Sequence, residues 1–169
     1  DHTGGLLPFL QQNPKVSVFL PAETPKEFVD KVQQLAAETT VVAETTEICH
    51  GAVVLGPMGD QIIEQALVID TPKGLLIVTG CSHPGIAAIA KRAKEDFERD
   101  VFMVLGGTHL LRHSEEDLKA VVGELKRLGV QKVAATHCSG DKAISMLKDA
   151  FGDDFMKTGV GRVVNVGAE

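Results

Sequence analysis

The chain has no tryptophan and no tyrosine, and its only phenyl rings are seven phenylalanines. With so few platforms on which bases can stack, it is poorly equipped for single-stranded nucleic acid. Positive charge is also short: 17 lysines and arginines stand against 23 aspartates and glutamates, a formal net charge of −6. A general nucleic-acid binder needs a basic face, so no nucleic-acid partner is expected. No apolar run approaches the ~20 residues of a membrane-spanning helix, and no membrane partner is expected. The opening Asp1-His2-Thr3-Gly4-Gly5 has neither the basic nor the apolar region of a signal peptide. Cysteine is scarce: Cys49, Cys81 and Cys138. An odd number at irregular spacing is no disulfide framework, and it fits a reducing, cytoplasmic setting.

What is present is an ordinary globular composition. Of 169 residues, 44% are apolar and 24% charged, which suits one domain with a sizeable core. Residues 16–20 read as a strand stopped by Pro21. Thr24 then caps a helix with Pro25 at its first position, and Phe28, Val32 and Leu35 recur at helical spacing. Residues 40–48 are β-prone. Residues 52–55 read as a strand that ends in a turn at Gly56-Pro57-Met58-Gly59. Residues 65–70 and 74–79 are apolar and β-branched and predict a hairpin. Helices follow over 86–98, 115–128 and 141–151, alternating with strands over 101–105 and 132–135. Ser114 is placed to cap the second of these helices, with Asp117 completing a near capping box. Residues 162–166 read as a closing β-prone stretch. The alternation of strand, loop and helix is an α/β pattern.

The histidines fall at equivalent places in that pattern. His83, His109 and His137 each lie in a loop that follows an apolar strand and precedes a helix. Ligand sites in α/β sheets gather at such strand ends, so the three imidazoles are expected to converge. Zinc and similar ions take imidazole nitrogen and carboxylate oxygen, and a catalytic ion keeps a position open. Cys81, between a strand end and His83, reads either as a packed thiol or as a group in or beside such a site. His113 reads as solvated and His50, beside Cys49, as structural. Glu64 reads as an exposed carboxylate heading a strand, with a ligand role as the alternative.

At these residues the sequence resembles a known family. Asp1-His2-Thr3-Gly4-Gly5-Leu6 resembles the tail of the His-x-His-x-Asp-His motif of the metallo-β-lactamase superfamily. Three later motifs resemble one subgroup of it: Thr79-Gly80-Cys81-Ser82-His83-Pro84-Gly85-Ile86, Gly106-Gly107-Thr108-His109-Leu110 and His137-Cys138-Ser139-Gly140. That subgroup is commonly named, after a pterin-pathway enzyme, dihydropterin ribofuranosylaminobenzene phosphate synthase. The resemblance covers nearly the whole chain.

It implies an α/β fold, the C-terminal part of a four-layer αβ/βα sandwich with a two-ion site at one edge. The His-x-His pair is absent, so the resemblance implies a partial domain whose first half is missing, the edge of a larger protein or a cleavage product. It implies metal ligands at Asp1, His2, His83 and His137. Gly80-Cys81 stands where many members have Gly-Asp, so either Cys81 or His83 takes the bridging position. His109 has no counterpart among the common ligands and is expected to be catalytic, polarising substrate or protonating a leaving group. The implied cofactor is Zn2+, two ions in the full-length parent, with Mn2+ or Fe as alternatives. The implied activity is hydrolysis of a phosphate ester or related electrophile by metal-activated hydroxide. The substrate is expected to be a small molecule, phosphorylated or pterin-like. A non-catalytic binding module and a pterin or ribosyl-phosphate synthase are the alternatives. The chain alone is expected to bind metal weakly.

Overall fold

The computed structural model describes residues 2–36 and 38–167. Two sheets carry the fold. In the smaller one, β1 (Ser17–Pro21) and β2 (Glu38–Val42) pair in parallel. Helices α1 (Leu6–Gln12) and α2 (Lys26–Gln33) pack with them, and Leu10, Val18, Leu20 and Val32 form their common core. The larger sheet has six strands side by side in chain order: β3 (Thr46–Cys49), β4 (Ala52–Met58), β5 (Glu64–Thr71), β6 (Gly74–Thr79), β7 (Val101–Gly107) and β8 (Lys132–Thr136). Strands β3 to β6 are antiparallel, and β6, β7 and β8 are parallel. The parallel strands are joined by α3 (Ile86–Phe97) and α4 (Glu115–Arg127), and α5 (Asp141–Phe151) follows β8. No helix among the described residues is long and apolar enough to cross a membrane.

Apolar pattern explains the layering. The run Leu75-Leu76-Ile77-Val78 does not alternate because β6 is covered on both faces. Leu75 and Ile77 join Ile86, Ile89 and Ala90 of α3 in the main core. Leu76 joins Phe102 and Ala134 in a second cluster, against which Met156, Val164 and Val166 pack. Each fully buried leucine, such as Leu125 and Leu147, contributes roughly 1.5–3 kcal/mol. The capping box predicted at α4 is present: the Ser114 hydroxyl accepts from the Asp117 N–H at 3.2 Å, and Asp117 accepts from the Ser114 N–H at 3.3 Å.

Several boundaries differ from the sequence reading. Helix α1 was not anticipated, because its two short turns follow Gly4-Gly5 without a side-chain cap. Pro21 ends β1 from within, where the last residue of a two-stranded sheet tolerates a missing donor. Helix α2 starts at Lys26 with Pro25 extended (ψ 133°) at its cap, and no Thr24 side chain caps it. The 40–48 stretch belongs to two strands, β2 and β3. Strand β4 continues through Gly56-Pro57 to Met58 because a bulge after Leu55 absorbs the proline. Residues 162–166 form no strand, although two of their valines pack on the sheet. His50, read as structural, is exposed with Cys49 at the β3–β4 turn, while His113 is solvated as expected.

The topology prepares one edge for chemistry. The registers Thr79↔Gly106 and Gly107↔Thr136 set the C-terminal ends of β6, β7 and β8 level. Strand β5 runs the other way, so its first residue lies at the same edge. Continuing its register past Leu67↔Val78 brings Glu64 level with Cys81.

Candidate metal centre

Three loops leave that edge, and each is held in an unusual backbone state. Ser82 (φ 67°), His109 (φ 52°) and His137 (φ 54°) are left-handed without being glycine. Such residues carry roughly 1–3 kcal/mol of strain each and persist where the surroundings enforce them. The enforcing contacts are visible. The Ser82 hydroxyl donates to the Gly107 carbonyl at 2.6 Å, and the Thr79 hydroxyl donates to the same oxygen at 3.0 Å. The Ser139 hydroxyl donates to the Thr136 carbonyl at 2.6 Å and accepts from the Thr108 N–H at 3.2 Å. Gly107 must be glycine, since a Cβ there would lie 2.2 Å from the Gly80 carbonyl oxygen.

Of the residues singled out in the sequence, His2, Cys81 and His83 come together, joined by Glu64, while His109 and His137 are not in this group. Ligand atoms of His2, Glu64, Cys81 and His83 all lie within 4.8 Å of one another. Glu64, read in the sequence as an exposed carboxylate with a ligand role as the alternative, is the addition. It is buried, at 9% exposure, and organises the group. Its Oε2 accepts from the His83 backbone N–H at 2.8 Å, while Oε1 lies 2.7 Å from His83 Nδ1 and 3.2 Å from His2 Nδ1. Strand parity was the available signal, because Glu64 shares its face with buried Ala66 and Val68. Asp1 lies outside the described residues. His137 lines a cavity of about 380 Å³ together with His2, Gly80, Cys81 and Gly107.

His109 stands on the far side of His83, ring centroids 4.0 Å apart. Lost solvation, then the facing His83, hold its pKa below the ordinary imidazole range. Cys81 is buried, and burial first, then its hydrogen bond with Cys138, push its thiol up to about 12. The Cys138 thiol donates to the Cys81 carbonyl at 3.5 Å. The Thr108 hydroxyl is buried and has no hydrogen-bond partner among the described residues. A larger cavity of about 700 Å³ opens on the other side of the group, between the two sheets, and its lining includes His2, Glu64, Leu6, Val18, Phe28 and Ile63.

The donor set fits a borderline-soft divalent ion. Tetrahedral zinc with bonds of 2.0–2.3 Å spaces its ligand atoms roughly 3.3–3.8 Å apart, so donors within 4.8 Å need only small side-chain rotations. Glu64 also supplies the carboxyl–imidazole contact that commonly orients a histidine ligand.

No family model matches the sequence. Over 116 residues, 68% of the chain, it is 40% identical to the 7,8-dihydropterin-6-methyl-4-(beta-D-ribofuranosyl)-aminobenzene-5'-phosphate synthase of Methanocaldococcus jannaschii. Over 94 residues, 56% of the chain, it is 34% identical to an uncharacterized protein of the same organism. The matches span only 38% and 34% of the length of those two relatives. Among solved structures, the fold is similar to the crystal structure of Tm1679, described as a metal-dependent hydrolase of the beta-lactamase superfamily. The TM-score is 0.83 at 27% identity, covering 94% of this chain and 74% of that one. By its fold and by the order of motifs along its strand ends, the chain belongs to the metallo-β-lactamase superfamily, in the subgroup that resembles the dihydropterin ribofuranosylaminobenzene phosphate synthase.

Proposed function

We propose that this chain carries the ion-holding edge of a metal-dependent hydrolase that acts on a phosphate ester or related electrophile. His2, Cys81, His83 and His137 hold the metal, with Asp1 assigned from the opening motif. The observation that carries this reading is the convergence of His2, Glu64, Cys81 and His83 within 4.8 Å at the edge where three parallel strands end. A bound divalent ion, zinc by its donor set with manganese or iron as alternatives, supplies Lewis acidity and lowers the pKa of water toward ~7.

The chain's own residues do the rest. Glu64 accepts the His83 backbone N–H and faces its Nδ1, which fixes the ring and leaves Nε2 as the ligand atom when Nδ1 carries the proton. His109, its ring centroid 4.0 Å from that of His83, polarises the substrate or protonates the leaving group. The 700 Å³ cavity, with no lysine or arginine among its lining residues, takes the uncharged part of a small-molecule substrate, and a flat pterin-like group suits its apolar walls. Synthase chemistry at the same site is the second reading, favoured by the 40% identity to a synthase.

The test has two parts. The chain is dialysed against zinc beside His83→Ala, and bound metal is measured by elemental analysis. Bound zinc that His83→Ala loses supports the reading, and equal zinc in both overturns the ligand assignment. Turnover of bis(4-nitrophenyl) phosphate is then measured on the longer form carrying a His-x-His segment ahead of Asp1. Hydrolysis supports the hydrolase. Turnover seen only with a second substrate moves the assignment to a synthase.

A further inference from the structure

Cys81, one of the four donors gathered at the strand edge, has a second sulfur beside it. The Sγ atoms of Cys81 and Cys138 lie within 4.8 Å of each other, and the Cys138 thiol donates to the Cys81 carbonyl at 3.5 Å. Both are free thiols, as is Cys49, which is exposed at the β3–β4 turn.

The fold holds the two sulfurs as a pair. Cys81 follows β6 and Cys138 follows β8, with the end of β7 between them. The carbonyl of Gly80 accepts the Gly107 N–H at 3.0 Å, and the carbonyl of Cys138 accepts the Leu111 N–H at 3.3 Å, so both loops are tied to the end of β7 and the loop after it. Gly107 keeps the gap between them clear, since a Cβ there would stand 2.9 Å from Cys138 Sγ and 3.1 Å from Cys81 Cα. A disulfide needs sulfurs about 2.0 Å apart, and rotation of the two side chains across that gap closes the remainder. The pair is also within reach of a small reagent: Cys138 is half-buried, and Cys81 lines the 380 Å³ cavity at this edge.

We propose that Cys81 and Cys138 form a reversible disulfide when a peroxide reaches the strand edge, and that this bond withdraws the Cys81 sulfur from the ion. The consequence for the ion rests on the metal-dependent reading above; the disulfide itself does not. Cys138, the more exposed of the two, reacts first. Its sulfur attacks one peroxide oxygen; an S–O bond forms, the O–O bond breaks, and hydroxide leaves with the thiol proton as water. The Cys81 sulfur then attacks the Cys138 sulfur; the S–S bond forms, the S–O bond breaks, and a second water carries off the Cys81 proton. Two thiols are oxidised by two electrons, and one peroxide is reduced to two waters. Dithiothreitol reverses the bond by thiol exchange.

The test reads thiols and zinc separately. The metal-free chain is treated briefly with hydrogen peroxide, quenched with catalase, alkylated without reduction and mapped by peptide mass spectrometry. Alkylated Cys49 beside a Cys81–Cys138 cross-link is the expected map, and dithiothreitol should restore all three thiols. Alkylation of all three cysteines, or cross-links through Cys49 instead, overturns the proposal. Zinc affinity is then measured by competition with a chromophoric chelator. It is expected to fall at least about tenfold in the cross-linked chain, the least that losing even an orienting contact costs, and to return with dithiothreitol. Cys138→Ser is expected to keep its zinc affinity after the same treatment. Cross-linked chain with unchanged zinc affinity overturns the withdrawal of Cys81, and so does an equal loss of zinc in Cys138→Ser, since Cys81 would then be oxidised alone. A parent chain that binds no zinc before oxidation overturns the metal reading, whereas the thiol map, read without metal, still decides the disulfide.

Discussion

Replacing Glu64 by glutamine keeps the size of the side chain but makes one of its two acceptor oxygens a donor. In the parent chain Oε2 accepts the His83 N–H at 2.8 Å and Oε1 faces the Nδ1 atoms of His83 and His2 at 2.7 and 3.2 Å. The amide oxygen of glutamine must take the backbone N–H, because an NH2 group there would oppose another donor. Its NH2 then faces both Nδ1 atoms, which must give up their protons to accept it. The proton of each ring moves to Nε2, the nitrogen that an ion would otherwise use. Loss of such an orienting contact typically weakens metal affinity 10–100-fold. That corresponds to about 1.4–2.8 kcal/mol. A mismatched buried polar group also destabilises the fold by about 1–3 kcal/mol. For a domain of this size the melting temperature should fall by roughly 2–12 °C. Zinc affinity is measured by competition with a chromophoric chelator, and melting by calorimetry without metal. A Glu64→Gln chain with parental zinc affinity and parental melting would refute the reasoning, since it would mean that Glu64 neither orients nor holds anything.

Gly107→Ala should destabilise by about 1–3 kcal/mol or more, because its new methyl group meets the Gly80 carbonyl at 2.2 Å; urea unfolding checks this. Ser114→Ala removes the cap of α4 and should lower stability by about 1 kcal/mol in the same assay. The acid side of that comparison has a definite sign. The Ser114 hydroxyl, then its backbone N–H, hold the Asp117 carboxyl below the usual aspartate range. A depressed carboxyl stabilises the fold above its unfolded pKa, and the contribution is lost as pH falls through the folded value. The stability gap between parent and Ser114→Ala should therefore narrow in acid below the ordinary aspartate pKa, as thermal melts across pH would record. Thiol labelling by a small alkylating reagent at pH 8, followed by peptide mass spectrometry, should modify exposed Cys49 first and Cys81 last, because Cys81 is buried and its pKa stands at about 12. Rapid labelling of Cys81 would show that the strand edge is open.

Much of the scaffold was legible because local chemistry and tertiary structure agreed. The 65–70 and 74–79 runs became β5 and β6 of an antiparallel pair, and the Ser114–Asp117 signature became a capping box. Helices over 86–97, 115–127 and 141–151 followed their apolar spacing. Misreadings clustered in the first third of the chain. There Pro21 and Pro57 punctuate the sequence, yet one sits at the end of a strand and the other beside a bulge, where a missing N–H does not break a ladder.

The placement of His83, His109 and His137 after three apolar strands was readable from one dimension, because side-chain alternation and strand–helix order are local properties. It implied that imidazoles would gather at one sheet edge. The partners they would meet were not readable. Glu64 is 19 residues from His83 in sequence, and only the antiparallel register of β5 against β6 brings its carboxyl to the His83 N–H. Cys81 and Cys138 are 57 positions apart, a span of two parallel crossovers, and the meeting of their loops depends on the β6–β7–β8 register. Residue type and spacing thus determined which ligand chemistry this protein carries and on which loops. Strand register decided which donor side chains lie together, because it fixes the distances between side chains far apart in the chain.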